Sequence, residues 1–230
     1  MRILLVGHGK MGKLVGDLAP QYGATVAGIV DHASPAHSGG LDDDRWQDVD
    51  VAIDFTSPEA VLANVSTLAR RRINIVLGTT GWGSHEPELR RLIDESGSGI
   101  VAAPNFSTGV VLFEAVVARA AKLFADQETY GAWIHEAHHA TKKDAPSGTA
   151  LKLKQTMEQS GYDRPIDVSA TRAGFVPGTH TIGFEGPSES ITLTHTARDR
   201  GGFARGALTA AQWIKGRRGW YTMQDVLGLS

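Results

Sequence analysis

The residues of this chain best suited to chemistry lie between His138 and Ala150, in HHATKKDAPSGTA, where two imidazoles and two ammonium groups run straight into a helix start. Pro146 suits the first turn of a helix, and Ser147, Gly148 and Thr149 then offer unpaired backbone N–H groups and two hydroxyls ahead of LKLKQTMEQS. Such an N-terminus receives a carboxylate or phosphate and contributes roughly half a positive charge. Lys142 and one protonated His bring the local charge to about two, which matches a small dicarboxylate. His138 and His139 face opposite sides if the backbone there is a strand, and at least one is expected to act as an acid or as a hydrogen-bond donor to substrate. One of Lys142 and Lys143 is expected to be merely solvated, and the residues alone leave open which.

The same stretch contains H-E-x-x-H, from His135 to His139. A zinc site of that type needs a helix, which places the two imidazoles about 6 Å apart on one face. The preceding TYGAWI is strand-like and Asp144-Ala145-Pro146 closes the segment soon after, so the two rings would stand about 13 Å apart along a strand. No metal site is therefore expected. His135 and Glu136 are read as strand residues, packed or solvated beside the site.

Two layouts must position these groups. From residue 2 to residue 105 strand and helix alternate: RILLV, a glycine turn, a helix from Lys10 to about Ala19, a strand ending at Asp31, then VDVAIDFT, PEAVLANVSTLARRR, NIVLGTT, EPELRRLIDESG and GIVAAPN. That alternation predicts a parallel sheet with helices on both faces and ligands at the strand C-termini. Gly7, His8, Gly9, Lys10, Met11 and Gly12 form G-x-G-x-x-G between the first strand and helix, with Asp31 at the end of the next strand. The glycines permit a tight turn, close approach of a pyrophosphate and close helix packing, and the acid can accept a ribose 2′-hydroxyl. Lys10 and His32 stand where a 2′-phosphate could be held, so NADH and NADPH both remain open. Gly78, Thr79 and Thr80, with Ala103, Pro104, Asn105 and Phe106, sit at strand C-termini where the nicotinamide end would lie, although as isolated pieces they are ordinary turn chemistry.

After Asn105 the texture changes to a long apolar helix from about Val110 to Phe124, the TYGAWIHEAHH strand, the helix after Pro146, and a segment in which Thr192, Thr194 and Thr196 alternate along one strand face. THTIGF and ITLTHTA flank EGPSES as an antiparallel hairpin. The tail GALTAAQWIKGRRGWYTMQDVLGL reads as helical and as returning to the first domain. The expected architecture is α/β: a Rossmann-type nucleotide domain from 1–107 and 201–230, and an α+β substrate and oligomerisation domain, 108–200, with a mostly antiparallel open sheet. Closure between the two would bring a nicotinamide at Phe106 to a substrate held by Lys142 and Thr149.

The chain has 230 residues, no Cys and a formal net charge of −2. These values exclude disulfides and Cys nucleophiles, and they give no basic field for nucleic acid. No window approaches a membrane span and the opening ILLV is too short for a signal segment, so a soluble cytoplasmic protein is expected.

GHGKMG, DFTSPEA, GTTG, PNFSTG, EAHH followed by K and DAPSGTA, and the late THTA with a following Arg together resemble the 4-hydroxy-tetrahydrodipicolinate (dihydrodipicolinate) reductases of bacterial diaminopimelate and lysine biosynthesis. That resemblance covers nearly the whole chain. It implies reduction of a dehydrated cyclic dicarboxylate by NADH or NADPH in a homotetramer. It also implies His138 as general acid or proton relay, Lys142 as the catalytic lysine, and His139, Ser147, Gly148 and Thr149 as substrate contacts. Gly7 to Gly12, Asp31, Gly78 to Thr80 and Ala103 to Phe106 would be its nucleotide contacts, and Arg200 resembles a family arginine near the domain junction. Departures are Ala140 and Thr141 after the His pair, Ser57 at a position often Arg, and a short segment from Ala33 to Asp50. Two rivals predict different behaviour: a zinc hydrolase would hold stoichiometric metal, and an NAD(P)-sensing module would bind dinucleotide without turnover.

Overall fold

A computed structural model describes residues 1–32 and 40–229, so that Ala33–Gly39 of the short segment after Asp31 lie outside the described residues. In chain order the main elements are β1 (Arg2–Val6), α1 (Lys10–Leu18), β2 (Thr25–Val30), β3 (Val51–Asp54), α2 (Pro58–Arg70), β4 (Asn74–Leu77), α3 (Glu86–Ser96) and β5 (Gly99–Ala102). There follow α4 (Thr108–Phe124), β6 (Gly131–His138), α5 (Gly148–Gln159), β7 (Ile166–Arg172), β8 (Thr179–Glu185), β9 (Ser190–Thr196), α6 (Gly201–Ile214), β10 (Gly219–Tyr221) and α7 (Met223–Val226). The chain divides into two compact units, Met1–Thr108 with Gly201–Ser230, and Gly109–Arg200.

The first unit is a six-stranded sheet in the order β10-β5-β4-β3-β1-β2, parallel throughout. VAID, NIVL and GIVA are buried at every residue, as expected of central parallel strands covered on both faces. Leu4, Val6, Ala52, Ile75, Leu77 and Ile100 pack with Val61, Val65 and Leu68 of α2 and Leu89 and Ile93 of α3. The alternate residues Leu5, Ile53, Val76 and Val101 are equally buried, and α6, which packs with α1, contacts β3, β4 and β5. Sequence reading treats the tail as helical throughout, whereas Gly219–Tyr221 is a strand that pairs with β5 and extends the sheet. Asn74 secures this end: its amide donates to the carbonyls of Ile214 and Arg217 at 2.6 and 3.2 Å, and its Oδ1 accepts from Gly99 N–H at 2.8 Å.

The second unit is a four-stranded sheet, β7-β6-β8-β9, in which only β6 and β7 run parallel. Period-two alternation sorts its faces. Ala132, Ile134, Ile182 and Phe184 pack with Val117 and Ala121 of α4 and Leu153 and Met157 of α5. On the edge strand β9, Thr192, Thr194 and Thr196 are exposed. Thr179 and Thr181 pair their hydroxyls with Thr196 and Thr194, each at 3.1 Å. The hairpin reading of THTIGF and ITLTHTA matches β8 and β9.

Candidate active site

In the first unit the glycine turn has the form a dinucleotide needs. Gly7 adopts φ +90°, and a side chain there would come 2.4 Å from the Phe55 carbonyl oxygen, while one at Gly12 would come 2.1 Å from the Gly7 oxygen. Gly7 and Gly12 thus let the turn, the end of β3 and α1 pack closely, while Gly9 faces open space between the segments that follow β1, β3 and β4, so the residues fit NAD(P)H. A cleft of ≈ 730 Å³ is lined by Gly7, His8, Gly9, Asp31, His32, Phe55, Thr56, Ser57 and Glu59 among others. A second, of ≈ 370 Å³, is lined by Gly9, Lys10, Met11, Thr56, Gly78, Thr79 and Thr80, and a third, of ≈ 360 Å³, by Thr79, Thr80, Ala103 and Pro104 with Trp82 and Trp220.

Most of the cofactor residues read from sequence thus come together. Phe106 differs, because its side chain is only 2% exposed and packs edge-on to Phe55, with ring centroids 6.4 Å apart. The Asp31 carboxylate accepts from the His8 backbone N–H, tying the glycine turn to the end of β2. Sequence reading missed Asp54, which is fully buried at the end of β3. One of its oxygens accepts from Thr56 N–H, Thr56 Oγ1 and Thr79 Oγ1, and the other from Asn64 Nδ2. Burial raises its pKa against these donors, and its bonds hold the turns after β3 and β4 in fixed relation.

In the second unit β6 ends at His138, and its alternation turns Glu136 and His138 to the same side as Ile134. Register places Glu136 opposite His180 of β8 and His138 opposite Arg172 of β7. The fully buried Glu136 carboxylate accepts from Arg172 at 2.7 and 2.9 Å, from Ser147 N–H at 3.1 Å, and pairs with Nδ1 of His138. Burial works to raise the Glu136 pKa, and the donors Arg172, His138 and Ser147 overcome it, leaving it lowered to about 2. His180 lies 5.2 Å from His138, ring edge to ring face, with its Nε2 3.1 Å from Ser147 Oγ. Burial first, then the positive charge available on His138, pushes His180 down to about 4.

The helix after this site starts two residues later than the sequence suggests, at Gly148 and not at Pro146. Ser147 is the N-cap of α5, its Oγ accepting from Ala150 N–H, and Pro146 precedes it outside the first turn. The serine wins because its hydroxyl satisfies an otherwise unpaired amide, which proline cannot do. Gly148 is exposed and Thr149 half-buried just inside the helix. Lys142 is half-buried and bridges to Asp144 at 2.8 Å, whereas Lys143 is exposed. His139 pairs through Nδ1 with Thr141 Oγ1 at 2.8 Å.

H-E-x-x-H lies on a strand and its turn, not on a helix, which removes the zincin geometry. Glu136, His138 and His180 do bring three potential ligand atoms within 4.8 Å of one another. The Glu136 carboxylate is held by Arg172, Nδ1 of His138 by Glu136, and Nε2 of His180 lies 3.1 Å from Ser147 Oγ. Among the described residues no helix is long and apolar enough to cross a membrane.

Residues 1–106 match the family model described as dihydrodipicolinate reductase, N-terminus, and residues 109–227 that of the C-terminus. The chain belongs to the dihydrodipicolinate reductase family. Relatives named 4-hydroxy-tetrahydrodipicolinate reductase include one from Christiangramia forsetii, 36% identical over 99% of this chain and 98% of its own length. Another, from Methanosarcina barkeri, is 41% identical over 78% of this chain and 73% of its own. Among solved structures, the dipicolinate-bound dihydrodipicolinate reductase from Paenisporosarcina sp. TG-14 superposes with a TM-score of 0.84 over 98% of both chains at 22% identity, and so shares the fold. As a member of this reductase family the chain is an NAD(P)H-dependent oxidoreductase of lysine and diaminopimelate biosynthesis.

Proposed function

We propose that this chain reduces 4-hydroxy-tetrahydrodipicolinate with the labour split between its two units. The observation that carries the reading is that the imidazole of His138 and the N-cap amide of α5 share one fixed carboxylate, Glu136, while the next amide, Gly148 N–H, and Lys142 are both held by the exposed carboxylate of Asp144, which a substrate carboxylate can replace. Ser147, Gly148 and Thr149 at that N-terminus, with His139 and Lys142, receive the two substrate carboxylates. Lys142 exchanges Asp144 for the substrate as its ion partner. Bound NAD(P)H supplies the hydride to the unsaturated ring left by loss of water. His138 delivers the proton that completes the reduction, and the charge-assisted contacts of Lys142 hold the ring still while this occurs.

The ≈ 730 Å³ cleft of the first unit is lined by Asp31 and Glu59, together with Ser57. These acids disfavour a 2′-phosphate, so NADH is the preferred donor in this reading. The exposed threonine ladder of β8 and β9 supports an assembly surface for a homotetramer, and the absence of Cys together with the NAD(P)H requirement supports a cytoplasmic setting.

The test is nicotinamide oxidation followed at its near-ultraviolet absorbance, with substrate generated in situ from pyruvate and aspartate semialdehyde. Substrate-dependent oxidation, faster with NADH than with NADPH, is expected. A folded, nucleotide-binding protein that turns over neither would refute the reading, and light scattering on the same sample checks the tetramer.

A further inference from the structure

We propose that Glu136, clamped by Arg172, is the positioning residue that fixes which nitrogen of His138 carries the transferable proton and where that proton sits relative to the substrate-binding helix start. This rests on the assignment of His138 as proton donor. An ionised carboxylate only accepts, so the Nδ1 of His138 that faces Glu136 must be protonated. The working nitrogen is then Nε2, at the edge of the ring beside Gly178. After Nε2 gives up its proton the ring is left as the Nδ1–H tautomer, still bonded to Glu136, and it recovers the Nε2 proton from solvent.

The clamp makes the carboxylate a fixed anion and not a proton store. Arg172 donates one N–H to each Glu136 oxygen, in the fork geometry that suits a carboxylate. Arg172 is in turn anchored to the Asp144 backbone carbonyl, in the loop that carries Lys142. Glu136 is held ionised near neutrality. The same carboxylate has a second duty: one oxygen pairs with His138 while the other accepts from Ser147 N–H, the N-cap of α5. One buried side chain therefore sets the separation between the proton donor and the amides that take the substrate carboxylate. A ring free to rotate would lose both the tautomer and the distance. The charged groups that face the pair are His180 on β8, Arg172 on β7 and Lys142 with Asp144 in the loop before α5.

The first experiment needs no substitution: long-range ¹H–¹⁵N correlation on the histidine rings of the intact protein above neutral pH. The Nδ1–H tautomer of His138 is expected, and the Nε2–H tautomer would overturn the proposal. The second is steady-state kinetics of Glu136→Gln, which keeps the shape and removes the charge. Its kcat is expected to fall about 100-fold, with the limb on which kcat declines at high pH moved to lower pH and NADH affinity within about twofold of the parent. Arg172→Lys, which keeps charge without the fork, should lie between the two. A Glu136→Gln enzyme that loses only thermal stability or raises only KM, with kcat and its pH profile unmoved, would overturn the positioning role. His138→Gln separates the two ideas, since full activity in that variant would remove His138 as donor whatever Glu136 does.

Discussion

Acidification should unfold this protein in a way that can be traced to one imidazole. His180 is buried among the Glu136 network and is pushed down to about 4 from an ordinary value of 6.5. Between those values the unfolded chain binds a proton that the folded chain refuses, so stability rises with pH across that window and is fully present above about 6.5. At roughly 1.4 kcal/mol for each pH unit of separation, falling from about pH 7.5 to pH 4 removes about 3 kcal/mol through this group alone. Glu136, lowered to about 2 from 4.5, acts in the same sense in the next window, losing its contribution as pH falls from 4.5 through 2. The assay is urea unfolding across that range for the parent and for His180→Gln, whose amide can still meet Ser147 Oγ but does not titrate. The parent curve should steepen relative to the variant by about 3 kcal/mol from pH 7.5 to pH 4. Parallel curves, or a His180 ring that titrates near 6.5 by proton NMR, would refute the reasoning.

Lys142→Ala should lower turnover by orders of magnitude while leaving NADH affinity close to the parent's, because a charge-assisted contact of about 1.5–3 kcal/mol to substrate is lost; unchanged turnover would remove its role. Gly12→Ala places a methyl where the Gly7 oxygen lies 2.1 Å away, so NADH titration by fluorescence should show binding reduced at least tenfold, and parental affinity would sink the argument from close packing of that turn. Asn74→Ala breaks three hydrogen bonds that join β4 to β5 and to the end of α6, and denaturant titration should record a loss of about 3 kcal/mol.

The parts of this molecule that follow from local pattern were readable in the chain. Alternating buried strands and amphipathic helices give the parallel sheet, and GHGKMG with Asp31 gives the turn that β1 and α1 build around. What escaped depends on register between distant segments. β10 has only three residues, the first of them the last glycine of GRRG, too few for a period-two signal against a helical flank. Arg172 and His180 reach Glu136 from 36 and 44 positions along the chain, through strand pairings that no spacing encodes. A signal for Glu136 existed: period two places it with Ala132 and Ile134 on the buried face, and a carboxylate in that company must have partners. The helix start was misplaced by two residues because proline and serine compete as opening signals and only the cap geometry decides.

The chain leaves the parallel sheet after β5 and rejoins it only with β10, on the far side of a contiguous second unit. On a ribosome this order matters. About 90 residues of the second unit emerge before α6, so that unit can complete its own fold while the β5 edge of the first still waits for its neighbour. At about 10 residues per second the wait lasts roughly ten seconds. During that interval β5, GIVA, is paired with β4 on one side and leaves its other edge open, the kind of exposed strand edge on which other chains can pair.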